Sequence, residues 1–340
     1  MKPCRYLPGL ALASLLAGCE STGPAVATHV VFVTQPVAPR LSTQSLGSVM
    51  VAFLDGDGRV VASATSDVQI ALEDAGTGAV LSGTTSVTPH NGVATFSDLS
   101  IDKAGAAHRL TATASGLGSV TSQPFSITVG PATKLRFETM ISQHTAGAPI
   151  QPIMVCVTDA GGNPVLTATH TITLTTGGGT VIFGTAAKAA VAGAAVFDGL
   201  SIQLAAFSHT IVATAANIMS ATSNSFTIVP AEMTKLTFTA QPTQGTAGAA
   251  LPSFTVAATD VYGNPPLIPP GGSISVAVSL GNNPTGATLS GTLSVSGFAV
   301  ATVFNNVTVD KPGNGYTLVA STSGPPALAS GTSSLFNVVP

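Results

Sequence analysis

The chain has 340 residues, of which 7% are charged, and a net charge of −3. Ordinary soluble domains carry roughly a quarter, and this balance leaves neither a basic patch for nucleic acid nor an acidic tail. Aromatic residues make up 5%, with no Trp and 3 Tyr, too few for the two aromatic girdles of a transmembrane barrel. Past residue 19, Thr, Ser, Gly and charges interrupt every apolar run, which excludes a spanning helix. Hydroxyls and amides must wet such a surface, as suits an exported β protein; sheet edges then have few charged gatekeepers.

In chain order, Lys2 and Arg5 precede an apolar run over 7–16, and Leu16-Ala17-Gly18-Cys19 follows as a small-residue processing site. This segment resembles the lipobox of bacterial lipoproteins; the alternative is an ordinary secretory signal with a chance cysteine. The resemblance implies that 1–18 is a signal peptide and that Cys19 becomes the lipidated first residue of a short tether over 19–25. Several acyl chains on one residue suffice for stable anchoring. The membrane is then a partner through Cys19, and the location is the cell envelope. Glu20 in place of Asp is compatible with the outer membrane or cell surface of a double-membraned organism. Of the 3 Cys, Cys4 leaves with the signal, so Cys156 alone stays in the folded region and no intradomain disulfide can form. Each domain must hold by its apolar core, feasible near one hundred residues.

From residue 26 onward the chain repeats itself. Val93-Ala94-Thr95-Phe96 returns as Ala194-Ala195-Val196-Phe197 and as Ala301-Thr302-Val303-Phe304, so the marker phenylalanines lie 101 and 107 residues apart. That period is the size of a small domain rather than of a solenoid unit. Each unit opens on a Pro-Ala pair, at Pro24-Ala25, Pro131-Ala132 and Pro230-Ala231. Each has an acidic turn, at Asp55, Asp159 and Asp260, and closes on a strand at Phe125, Phe226 or Phe336. The expected domains are 26–130, 131–230 and 231–340, joined by short linkers that Pro131 and Pro230 stiffen. Period-two patterns predict strands: Val49, Val51 and Phe53 inward in the first unit, Ile153, Val155 and Val157 in the second, Phe254, Val256 and Ala258 in the third. The Ala-rich stretch 186–195 has the composition of a helix, but Gly184, Gly193 and its alignment with 82–93 favour a strand pair. About seven short strands per unit predict an all-β chain of three tandem immunoglobulin-like antiparallel β-sandwiches. End to end these would extend on the order of 80–120 Å.

The units resemble bacterial immunoglobulin-like repeat domains of the invasin/intimin type. The resemblance rests on Lys134-Leu135-x-Phe137, Thr145-Ala146-Gly147, Asp159-x-x-Gly162-Asn163, Leu81-Ser82-Gly83-Thr84 and Gly92-Val93-Ala94-Thr95-Phe96. It implies a non-enzymatic surface stalk, adhesion or envelope-structural module, with a surface protein or glycan as partner. The first unit departs at Arg40-Leu41, where the others have Thr-Ala-Gly, so its first loop is expected to differ.

Asp55-Gly56-Asp57-Gly58 invites a calcium reading through Asp55 and Asp57, but the loop lacks further acidic ligands. Its counterparts keep only the first Asp and the last Gly, the preference of a structural turn. The 6 His show no metal-ligand spacing; His108 and His209 align with Tyr316, at the place of a tyrosine corner. There is no Gly-x-Ser-x-Gly elbow, Walker loop, CxxC or HExxH, so no catalytic residue and no cofactor are expected. Gly177-Gly178-Gly179 is expected as a hairpin turn and Cys156 as an incidental small residue. The alternative function is carbohydrate binding, or an accessory role in a surface polysaccharide system. With no Trp, its candidate contact is Tyr262 on the Asp260 turn.

Overall fold

The computed structural model describes residues 25–73, 76, 78–265, 274–298, 301–323 and 327–340. The signal segment, Cys19 and most of the tether lie outside these residues. Every regular element among them is a strand, including the Ala-rich stretch, which forms Ala187–Ala189 and Ala194–Phe197. The chain divides into two compact units that meet between Thr128 and Val129. The first encloses one hydrophobic core and the second encloses two, one spanning Leu135 to Ile228 and the other Leu236 to Val338.

All three cores follow one plan, with an addition around the second, where Lys134–Phe137 also pairs parallel with Ile218–Thr222 and links its strands into one seven-stranded sheet. Around the first, one sheet orders His29–Thr34, Val49–Leu54 and Val93–Phe96. The facing sheet orders Arg40–Leu41, Phe125–Thr128, Gly105–Ala114, Val68–Glu73 and Ser86–Val87. Pairing is antiparallel except for Arg40–Leu41, which runs parallel to Phe125–Thr128. The opening strand thus starts in one sheet and ends in the other. Lys134–Phe137, Ile153–Thr158 and Ala194–Phe197 repeat the first sheet around the second core; Lys235–Ala240, Phe254–Thr259 and Ala301–Phe304 repeat it around the third. This is an all-β fold of two-sheet, immunoglobulin-type sandwiches.

The period-two pattern explains the packing. In Val49–Leu54 the side chains of Val49, Val51 and Phe53 point to one face and are at most 1% exposed. The marker residues Phe96, Phe197 and Phe304 are 0–2% exposed; Phe304 stacks on Phe254 with ring centroids 5.2 Å apart. Behind each marker runs a close crossing. Gly83, Gly184 and Gly291 have φ of 109°, 105° and 100°. A Cβ on them would fall 2.6, 2.8 and 2.1 Å from the carbonyl oxygens of Asp98, Gly199 and Asn306. Only glycine combines that backbone with that approach.

The first loop does not differ as the sequence suggests. Arg40–Leu41 makes the same parallel pairing as His144–Thr145 and Gly245–Thr246. The amides of Thr43, Gly147 and Gly248 then bond Ile101, Ile202 and Val309 in the same way, at 2.7, 2.9 and 2.8 Å. Thr43 simply takes the glycine's place at φ 64°. Gly177-Gly178-Gly179 forms a turn, with Gly179 at φ 75°, but not a hairpin. It leads from Thr171–Thr176, paired with Ile211–Ala215, to Ile182–Phe183, which pairs with Ser201–Ile202.

Candidate functional site

The tyrosine-corner position is structural. The Tyr316 hydroxyl donates to the Lys311 carbonyl at 2.9 Å, and His209 Nε2 donates to the Leu204 carbonyl, also five residues back, at 2.9 Å. His108 is fully buried, its ring 6.2 Å from Phe125. Three buried serines that the sequence does not single out fix the last two strands. The amides of Leu110, Ile211 and Leu318 each donate to the hydroxyl of Ser122, Ser223 or Ser333 at 2.9 Å. Each hydroxyl donates onward to the next residue's carbonyl. Abundant serine hides this trio; the signal was its fixed place three residues before a closing phenylalanine.

Cys156 faces away from the core and is half-buried. Burial, with Glu138 beside it, pushes its thiol above the ordinary range, the reverse of what a nucleophilic thiolate needs.

The three acidic turns share one backbone. The amides of Gly58, Gly162 and Gly263 bond the carbonyls of Asp55, Asp159 and Asp260, each at 3.1 Å, with φ of 79°, 81° and 92° at glycine. This is a type I turn closed by a left-handed glycine. Asp55 Oδ1 accepts from the amides of Asp57 and Arg59, both at 2.9 Å, and Asp57 pairs with the Arg59 guanidinium at 2.9 Å. The cation facing Asp57 is therefore Arg59. Among the described residues, no three His, Cys, Asp or Glu side chains come together as a metal site.

In the other two turns the Asp and the Asn that closes the turn are buried. Asp159 and Asp260 are 0% exposed, and Asn163 and Asn264 are 6% and 5% exposed. Asp159 accepts from the Asn163 amide and side chain, and its Oδ2 also accepts from Gly130 N at 2.8 Å. Asp260 accepts from the amides of Tyr262 and Asn264 on one oxygen, and from Asn264 Nδ2 and Ala231 N on the other. Charge-assisted bonds of this number compensate a buried carboxylate. Each Asp thereby pins the chain at the entrance to its own sandwich.

Asn264 reaches further. Its Nδ2 donates to the Gln203 carbonyl at 2.6 Å, and its Oδ1 accepts from Ala205 N at 2.9 Å. Both partners belong to the preceding core's sandwich. Tyr262, 41% exposed, has its hydroxyl against Gly147 of that sandwich: a Cβ there would lie 1.9 Å from the oxygen. The structure places the candidate ligand contact in a joint between the two sandwiches of the second unit.

No family model matches the chain, and no curated protein matches it. Among solved structures it is similar to Drosophila OTK extracellular domains 3–5, at 11% identity, covering 93% of this chain and 99% of that one, with a TM-score of 0.30. It is also similar to invasin, described as a bacterial integrin-binding protein, at 16% identity over 90% of this chain and 59% of that one, with a TM-score of 0.27. A β-glycosidase from Bacteroides vulgatus is matched at 12% identity over 58% of this chain, with a TM-score of 0.26; the chain spans only 24% of that enzyme. At such scores the fold is argued from the chain's own strand pairing.

Proposed function

We propose that this chain is a lipid-anchored, non-enzymatic surface protein in which three immunoglobulin-like sandwiches, over 26–130, 131–230 and 231–340, serve as a stalk or adhesion module. The observation that carries the reading is the repetition of one sandwich three times after a lipobox-like segment. The acidic side chains that attract a catalytic or metal reading are spent on turns and chain entrances. Ser122, Ser223 and Ser333 hold strands, and His209 holds a corner.

The anchor has a direct test. Metabolic labelling with a palmitate analogue marks the native protein, and Cys19→Ser, which cannot form the thioether, loses both label and membrane retention. A labelled Cys19→Ser protein overturns the anchor and leaves the repeat architecture standing.

A further inference from the structure

The turn that ends at Asn264 is more than a connection within its own sandwich. We propose that Asn264 and Tyr262 form a latch that seats the third sandwich on a socket made by Gln203, Ala205 and Gly147 of the second, holding the two in one orientation.

Three features carry this. First, a flexible linker alone requires no contacts beyond the chain itself, yet Asn264 is 5% exposed and satisfies a main-chain acceptor and a main-chain donor of the neighbouring sandwich with one amide. The pair is geometrically selective, since only a side-chain amide offers a donor and an acceptor side by side. Second, the base of the latch is fixed. Asp260 receives Asn264 Nδ2 on one oxygen and Asn264 N on the other, while Ala231 N ties the linker to the same carboxylate. Turn, linker and socket thus share one hydrogen-bond network, in which the loss of one member leaves buried groups unpaired. Third, the socket is cleared by glycine. Gly147 sits at φ +73° with its amide on the Ile202 carbonyl, and the Tyr262 hydroxyl occupies the space a side chain would need.

The latch is independent of the lipid anchor, and its readout is orientation rather than folding. Spin labels at Val191→Cys and Leu335→Cys, both exposed positions away from the joint, report the distance between the sandwiches. The background is Cys156→Ala in residues 20–340, which contain all three cores. The parent should give a single narrow distance distribution. Asn264→Ala removes both bonds to the socket and should lower the ratio of seated to unseated joint by roughly tenfold or more, so the distribution broadens; Tyr262→Ala broadens it less. Asn264→Ser sets no charge beside Asp260, is too short to reach both Gln203 and Ala205, and broadens it even where Asn264→Ala folds poorly. A broad distribution in the parent overturns the latch, and so does a width that none of the three substitutions changes in folded protein.

Discussion

Phe197→Ala separates a chain of autonomous sandwiches from a chain that melts as one. Phe197 is fully buried, pairs in register with Ile153 across the sheet, and shares its core with Leu200 and Ile202. Removing a buried phenyl ring costs about 3–5 kcal/mol, comparable to the whole stability of a marginal domain. The link to the third sandwich is weaker: two hydrogen bonds from Asn264, each about 0.5–1.5 kcal/mol net, and the Tyr262 contact. Because the core loss exceeds the coupling, the middle sandwich should melt while its neighbours stay folded. Scanning calorimetry then shows one transition lowered by about 12 °C or more, or absent, with a second transition only slightly lowered by the loss of the latch. One cooperative transition, displaced as a whole, would refute the reasoning and make the second unit a single folding body.

Two further substitutions test the turns and the loop pins. Ala192 sits at φ 48°, where the equivalent turn of the first sandwich has Asn91 at φ 49°. A left-handed alanine costs about 1–2 kcal/mol, so Ala192→Asn should stabilise the second sandwich by about 0.5–1 kcal/mol; an unchanged or lower melting point would show that the turn relaxes in solution. The amide of Thr84 donates to the Asp98 carboxylate, and its hydroxyl does too, holding Asp98 below its ordinary value of 3.8. With the folded value depressed, this contribution is present above the unfolded value and lost as pH falls through the folded one. Asn306 holds Thr292 with a neutral amide instead, accepting from its backbone N on Oδ1 and donating from Nδ2 to its hydroxyl. Asp98→Asn should therefore flatten the acid dependence of the first sandwich below about pH 4, as followed by acid unfolding; an unchanged slope would assign that dependence to other carboxylates.

How much was readable depended on the distance over which each feature acts. The marker phenylalanines and the inward valines are local signals, because a pleat repeats every two residues whatever lies opposite. The Asp-Gly turns were readable for the same reason: their bonds close within four residues. The parallel pairing of Arg40–Leu41 was hidden, since backbone atoms make it and Thr43 tolerates the left-handed conformation that the other repeats give to glycine. Tyr262 was legible in part. Its exposure on the Asp260 turn follows from the turn itself and is 41%, but its contact was hidden, because its hydroxyl lies on Gly147, 115 positions earlier in the chain.

The same comparison shows where the joint can and cannot be repeated. The position of Asn264 is occupied by Arg59 in the first sandwich, where the turn is exposed and its charge is paired with Asp57. A guanidinium can donate but cannot accept, so this turn cannot make the two-way contact of Asn264. On the socket side, the carbonyls of Leu204 and Lys311 both receive the corner side chain, which aligns Ala205 with Pro312. Proline has no amide hydrogen to offer, and the neighbouring Asp310 spends its carboxylate on Thr288 N. The third sandwich therefore presents no counterpart of the Ala205 donor, and the joint has a direction: an Asn-bearing turn must meet a sandwich that keeps an N–H at that position. Engineered arrays give the argument its test. A copy of 231–340 appended after residue 340 should reorient freely relative to the sandwich before it in the same spin-label measurement, and Pro312→Ala in the preceding copy should narrow the distribution. Equal widths with and without the proline would show that this N–H does not decide the joint.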